Sequence, residues 1–132
     1  MPITFEWYDK KRNIIINTIE GYWTWHEGME VVDGIIALSK QAERVDTIVD
    51  MRESNTIVPS GALHYMPIIV KKVSQRLPNW GISVIVSNHW LVAALLKISA
   101  AFSDEIKRRY RITDTIENAL AIIATDREAH AS

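Results

Sequence analysis

The chain has 132 residues, 48% of them hydrophobic, a formal net charge of -1 and no cysteine. That length suits one domain with its own core, and the composition excludes disorder, disulfides, thiolate nucleophiles and cysteine-ligated zinc. The charge argues against a domain built to hold nucleic acid, no signal peptide is visible, and the most apolar run, Trp90 to Leu96, is far too short to span a bilayer, so a cytoplasmic protein without membrane insertion is expected.

Thr4 to Tyr8 and the β-branched segment Ile14 to Ile19 flank a polar turn and predict an antiparallel hairpin ended by Gly21. Thr24 and Glu27 have capping-box spacing at the start of a helix running to Glu43, with Trp25, Met29, Val32, Ile35 and Ile36 on its inner face. Val45 to Met51 is a strand whose centre, Thr47-Ile48-Val49, is continuous rather than alternating, as expected when helices cover both faces. After a polar loop from Arg52 to Pro59, a second helix is predicted from Ser60 to Leu77. Its inward stripe is Leu63, Met66, Val70, Val73 and Leu77, with a kink or restart at Pro67.

Ile82 to Val86 is the next strand, and Asn88 is positioned to cap a third helix from His89 to Phe102. Arg109 to Ile112 reads as a short last strand. Asp114 and Glu117 repeat the capping-box spacing before a helix from Thr115 to Ala124, and the tail from Thr125 is expected to fray. The predicted fold is α/β: a single domain with a mixed β-sheet, opened by the hairpin and continued as βαβαβα. Right-handed crossovers make the later strands parallel.

This order, with Ile48-Val49-Asp50-Met51 followed by Val58-Pro59-Ser60-Gly61-Ala62-Leu63, resembles the STAS domain family of anti-sigma-factor antagonists. The strand Ile82 to Val86, the helix containing Trp90, and Arg111-Ile112-Thr113-Asp114 look like the broader SpoIIAA-like group. The resemblance implies a regulatory module that binds a protein partner. In the phosphorylated members the modified residue is the first serine or threonine of the pair before the glycine. Pro59 holds that position here and Ser60 matches the second, so the phosphoserine switch is not carried over.

Polar residues collect at the carboxyl ends of two presumed parallel strands. Asp50, Arg52, Ser54, Asn55, Thr56, Ser60 and Gly61 follow one, and Ser87, Asn88 and His89 follow the other. Open α/β sheets bind ligands at such ends, and free N–H groups at helix starts favour anions there. An anion at this edge requires Arg52 to turn inward, because Asp50 repels it. Helix capping by Ser60 and Asn88 is the alternative reading. Asp46 and Asp50 form an acidic pair flanking one strand.

His26, His64, His89 and His130 lack the spacing that places two ligands on one helix face, so no metal and no cofactor are expected. Nor does Pro59-Ser60-Gly61-Ala62 match a nucleophile elbow. Lys107-Arg108-Arg109-Tyr110-Arg111 and Lys10-Lys11-Arg12 are basic runs that either serve an acidic partner or guard an edge strand.

The helix from Trp90 is apolar all round, which calls for burial on more than one side. Leu91, Leu95, Ile98 and Phe102 form the stripe expected to meet the sheet. Trp90, Ala93, Leu96 and Ala100 form a second stripe, expected to make the contact of a homodimer. The expected function is thus a non-enzymatic regulatory or protein-interaction module. Next comes a small-molecule carrier, for an apolar or anionic ligand beside the third helix, and third an enzyme of unrecognised kind.

Overall fold

The computed structural model describes residues 2–54 and 58–130. The chain runs β1 (Ile3–Trp7), β2 (Ile14–Gly21), α1 (Trp25–Ser39), β3 (Val45–Ser54), α2 (Ala62–Arg76), β4 (Trp80–Val86), α3 (Trp90–Phe102), α4 (Asp104–Arg109), β5 (Tyr110–Thr113) and α5 (Ile116–His130). The five strands lie side by side in chain order. β1 pairs antiparallel with β2, and the pairs β2–β3, β3–β4 and β4–β5 are parallel. The α/β class, the opening hairpin and the parallel remainder agree with the pattern of the sequence.

Alternation along the strands assigns the two faces. Ile48, Ile82, Val84 and Val86 meet Ala119 and Ile123 of α5 on one side. Ile3, Ile19, Met51 and Ile85 meet α1, α2 and α3 on the other. Ile15, Ile48, Val84 and Val86 are wholly buried. Each contributes roughly 1.5–3 kcal/mol of burial, which explains the continuous apolar runs of the central strands.

Helix ends follow local chemistry. Thr24 Oγ1 accepts from Glu27 N at 3.2 Å, and Glu27 Oε1 accepts from Thr24 N at 3.1 Å, completing the predicted capping box. This helix stops at Ser39, short of Glu43, and buries Val31 as well as Trp25 and Ile36. α2 is capped not by Ser60 but by Gly61, at φ 97, a left-handed conformation that favours glycine. Its buried side is set by Ala62, Ile69 and Val70, while Leu63 is exposed. It neither ends nor restarts at Pro67, which lies on the exposed face. There the lost backbone bond falls to a carbonyl near the helix start.

α3 is capped by His89 rather than Asn88: the His89 ring Nδ1 accepts from Leu91 N at 3.1 Å. α4 is an addition to the expected elements. Ser103 Oγ accepts from Ile106 N at 3.2 Å, with acidic residues in the first turn and basic ones in the last, as the helix dipole favours. α5 opens on Thr115, whose hydroxyl accepts from Asn118 N at 3.0 Å, in place of the Asp114–Glu117 box. It continues through the segment expected to fray, as far as His130. Among the described residues, no helix is long and apolar enough to cross a membrane.

Candidate functional site

Three helices each present a small residue toward the sheet: Gly28 on α1, Ala62 on α2 and Ser99 on α3. The opposing strand positions carry Val49, Met51 and Ile85. These side chains do not fill the space between the layers, and a cavity of about 140 Å³ remains. Its wall is almost entirely apolar, with Trp23, Trp25, Val92, Leu95 and Leu96 completing it. An apolar cavity of about 150 Å³ stays dry and takes up a molecule the size of benzene.

Aromatic contacts stiffen one end. Trp25 stacks on Tyr65 at 5.5 Å between ring centroids and meets the edge of Trp23 at 5.0 Å. The Trp25 indole N–H donates to the carbonyls of Pro59, at 3.1 Å, and Ser60, at 3.0 Å. The indole thus ties the entry to α2 onto α1.

Two polar features interrupt the apolar wall. Asn17 occupies the inward position of β2 between Ile15 and Ile19, where the pattern calls for another aliphatic side chain. Its Oδ1 is buried and has no hydrogen-bond partner among the described residues. Leaving such an acceptor unsatisfied costs about 1–3 kcal/mol. On β5, three strands away, Tyr110 joins a buried hydroxyl cluster. Ser83 Oγ accepts from Thr47 Oγ1 at 2.6 Å and from the Trp80 indole at 3.1 Å, and its hydroxyl is bonded to Tyr110. Burial pushes the Tyr110 phenol up to about 12 against the lowering effect of Ser83, so it keeps its proton at neutral pH.

Among the described residues singled out at the strand ends, Asp50 and Ser87 share one edge of the sheet, since Asp50 is the register partner of Val86. The side chains of Asp50, Arg52, Ser87 and His89, however, are engaged locally. Arg52 grips Asp50 with two parallel bonds, Nε and a terminal nitrogen each at 2.9 Å from a carboxylate oxygen. The Arg52 hydrogen bond, ahead of the opposing effect of burial, holds the Asp50 carboxyl below its usual range. The cation that an anion site at this edge requires is therefore neutralised within β3.

Ser87 is buried, and its Oγ accepts from His89 N at 3.2 Å. Asn88, Ser60 and Gly61 are exposed, and Ser54 ends β3 opposite Gly21. Asn55 and Thr56 lie outside the described residues. No group of His, Asp or Glu that could hold a metal ion is present among the described residues.

α3 is rotated from its expected orientation. Val92 and Ser99 are its buried residues, and Leu96 faces the cavity. Ala100 packs against the cluster around Ile106 and Trp80. Two of the four residues expected at a subunit contact thus point inward, while Trp90 and Ala93 are exposed. Ile98 and Phe102, expected on the sheet, lie outside, Phe102 at 88% exposure. The cavity lies beside the third helix, where the runner-up expectation puts an apolar or anionic ligand, but the sequence does not single out the residues that line it as a ligand site. Its signal was faint: small residues at inward helical positions, and an asparagine within a β-branched strand.

Comparison with known protein families finds no family model that matches this chain, and comparison with curated proteins finds no significant match.

Proposed function

We propose that this protein is a non-enzymatic binding module for a compact apolar molecule, held in the cavity between the sheet and α1, α2 and α3. The observation that carries the reading is Asn17, which lines an otherwise apolar space and whose Oδ1 is buried with no partner among the described residues. Polar groups placed singly in apolar pockets fix ligand orientation. A hydroxyl suits this oxygen, because it can donate to it. The ligand class is therefore a small aromatic or alicyclic alcohol or phenol.

The resemblance to STAS domains, in the order of the elements and in the Val58–Leu63 segment, supports a regulatory setting for such binding. The cavity gives the small-molecule reading precedence over a pure protein-interaction module. A second reading rests on α3, whose outer surface exposes Trp90 at 73% and Phe102 at 88%. These two rings stand at the two ends of α3, about 18 Å apart along its axis, and Ile98 between them is also exposed; large exposed apolar side chains along one helix support self-association there.

The test compares phenol with benzene by tryptophan fluorescence, since Trp23 and Trp25 line the cavity. Phenol binds about tenfold tighter, the worth of one hydrogen bond to a buried acceptor, and the difference vanishes in Asn17→Leu. Equal binding of the two in the wild type contradicts the assignment.

A further inference from the structure

α3 adds one more polar group to the wall of the cavity. Ser99 is 5% exposed and lines the space. A buried serine within a helix can return its hydroxyl to the carbonyl four residues back, as Ser39 does with Ile35 O at 2.6 Å. Ser99 makes no such bond to Leu95, and its hydroxyl has no other partner among the described residues. The neighbouring polar groups of the wall are committed. The Trp25 indole donates to Pro59 and Ser60, and the Tyr110 hydroxyl is bonded to Ser83. Asn17 and Ser99 are left open.

These two stand on opposite walls. Asn17 belongs to β2, in the sheet, and Ser99 to α3, in the helix layer packed on it. They are also offset across the strands. Asn17 pairs in register with Val49, and Val49 with Ile85, so this row of the cavity floor turns apolar from β3 to β4. Leu96 and Ala100, neighbours of Ser99 on α3, pack with Trp80 of β4 and Tyr110 of β5. A molecule that reaches both open groups runs from β2 toward β4, with its apolar body over Val49 and Ile85. Two strand spacings amount to roughly 10 Å. A six-membered ring with an oxygen at each end, and a hydrogen bond beyond each, has a length of that order.

The wall also limits charge. Among the described residues, no Asp, Glu, Lys, Arg or His lines the cavity. An ionised group inside it would lose its hydration and gain no counter-charge.

We propose that the ligand carries a second, neutral oxygen at the opposite end of its ring, and that Ser99 binds it. A serine hydroxyl both donates and accepts, so the second group is a hydroxyl or a carbonyl. The site thereby selects para-disubstituted neutral rings over simple phenols and over carboxylates. The inference rests on the cavity reading above, in which Asn17 holds the first oxygen.

The test is isothermal titration calorimetry of the full chain at neutral pH with hydroquinone and with para-cresol, which has the same shape without the second oxygen. The quantity read is the ratio of the two affinities. Ser99→Ala should shift that ratio against hydroquinone by about fivefold to tenfold, the worth of one hydrogen bond, while para-cresol binds both proteins alike. Ser99→Cys, which exchanges the hydroxyl for a weakly bonding thiol, serves if Ser99→Ala does not fold. Catechol, whose oxygens sit side by side, should bind without regard to Ser99. Para-hydroxybenzoate should bind about tenfold more weakly than hydroquinone. An unchanged ratio with para-cresol bound overturns the role of Ser99 and leaves the cavity reading standing. Catechol as sensitive to Ser99 as hydroquinone, or para-hydroxybenzoate bound as tightly, overturns the proposed ligand class. Failure of both hydroquinone and para-cresol to bind overturns the cavity reading and this inference with it.

Discussion

Asp46 and Asp50 lie four residues apart on the same face of β3, yet they do different work. Asp46 is wholly buried; it accepts from Ile82 N at 2.7 Å and holds Arg44 and Arg127. Gly81 makes this possible, because a Cβ there would run into the Asp46 carboxylate. Asp50 instead closes on Arg52, whose side chain is 46% exposed. A pair so open to solvent is worth under about 1 kcal/mol. Its pH dependence has a definite sign. The Asp50 carboxyl titrates lower in the folded protein than its ordinary value of 3.8. The pair's stabilisation is therefore present above 3.8 and is lost as pH falls through the lower, folded-state value. Arg52→Gln should unfold slightly more easily at neutral pH, and its denaturation midpoint should converge on the wild type's in acid below that window. A gap that widens in acid would contradict the pairing. The sequence displayed both aspartates, but not their partners: Arg127 reaches Asp46 only because α5 folds back across the sheet.

At the scale of the elements, short-range signals were legible and orientation was not. Alternation and turn residues located the strands, and capping chemistry located α1, but helix rotation depends on which neighbour supplies the space. α3 is apolar on every side, so its sequence carries no preference for one face. The sheet took Val92 and Ser99 and left Ile98 and Phe102 outside. α4 had a readable start at Ser103, obscured by the basic run that follows. Self-association through α3 is accordingly tested at its outer residues. Light scattering should show a dimer that Trp90→Glu with Phe102→Glu converts to a folded monomer, and a monomeric wild type at high micromolar concentration contradicts it. α5 is tested by its length. Ending the chain at Thr125 removes Asp126 and Arg127 and leaves buried Asp46 with Arg44 alone. Partial exposure of both arginines takes the cost below that of a fully buried pair, to about 2–3 kcal/mol, which lowers the melting temperature by roughly 10 °C. An unchanged melting temperature would show that the latch contributes nothing.

The whole molecule gives the two faces of its sheet different tasks. α5 seals one face of the sheet with Ala119 and Ile123. The three helices on the other face stop short of close packing. The α/β class, the opening hairpin and the parallel later strands were legible in the sequence, because βαβ crossovers join parallel strands; the strand order was not. The cavity was not, because an unfilled volume is a property of several elements meeting, and no single segment records it. Ser99 is the residue through which it is best probed. It is buried, it lines the cavity, and a leucine in its place adds apolar volume there. Ser99→Leu should raise stability by about 1 kcal/mol, since the new side chain fills space that now has no partner atoms. The most direct measurement is a methyl NMR titration of wild type and Ser99→Leu with benzene. Saturable shifts at Val49, Met51, Ile85 and Leu95 in the wild type, absent in the variant, are the predicted result; no saturation, or shifts confined to the surface around Trp90 and Phe102, would contradict the cavity as the binding site.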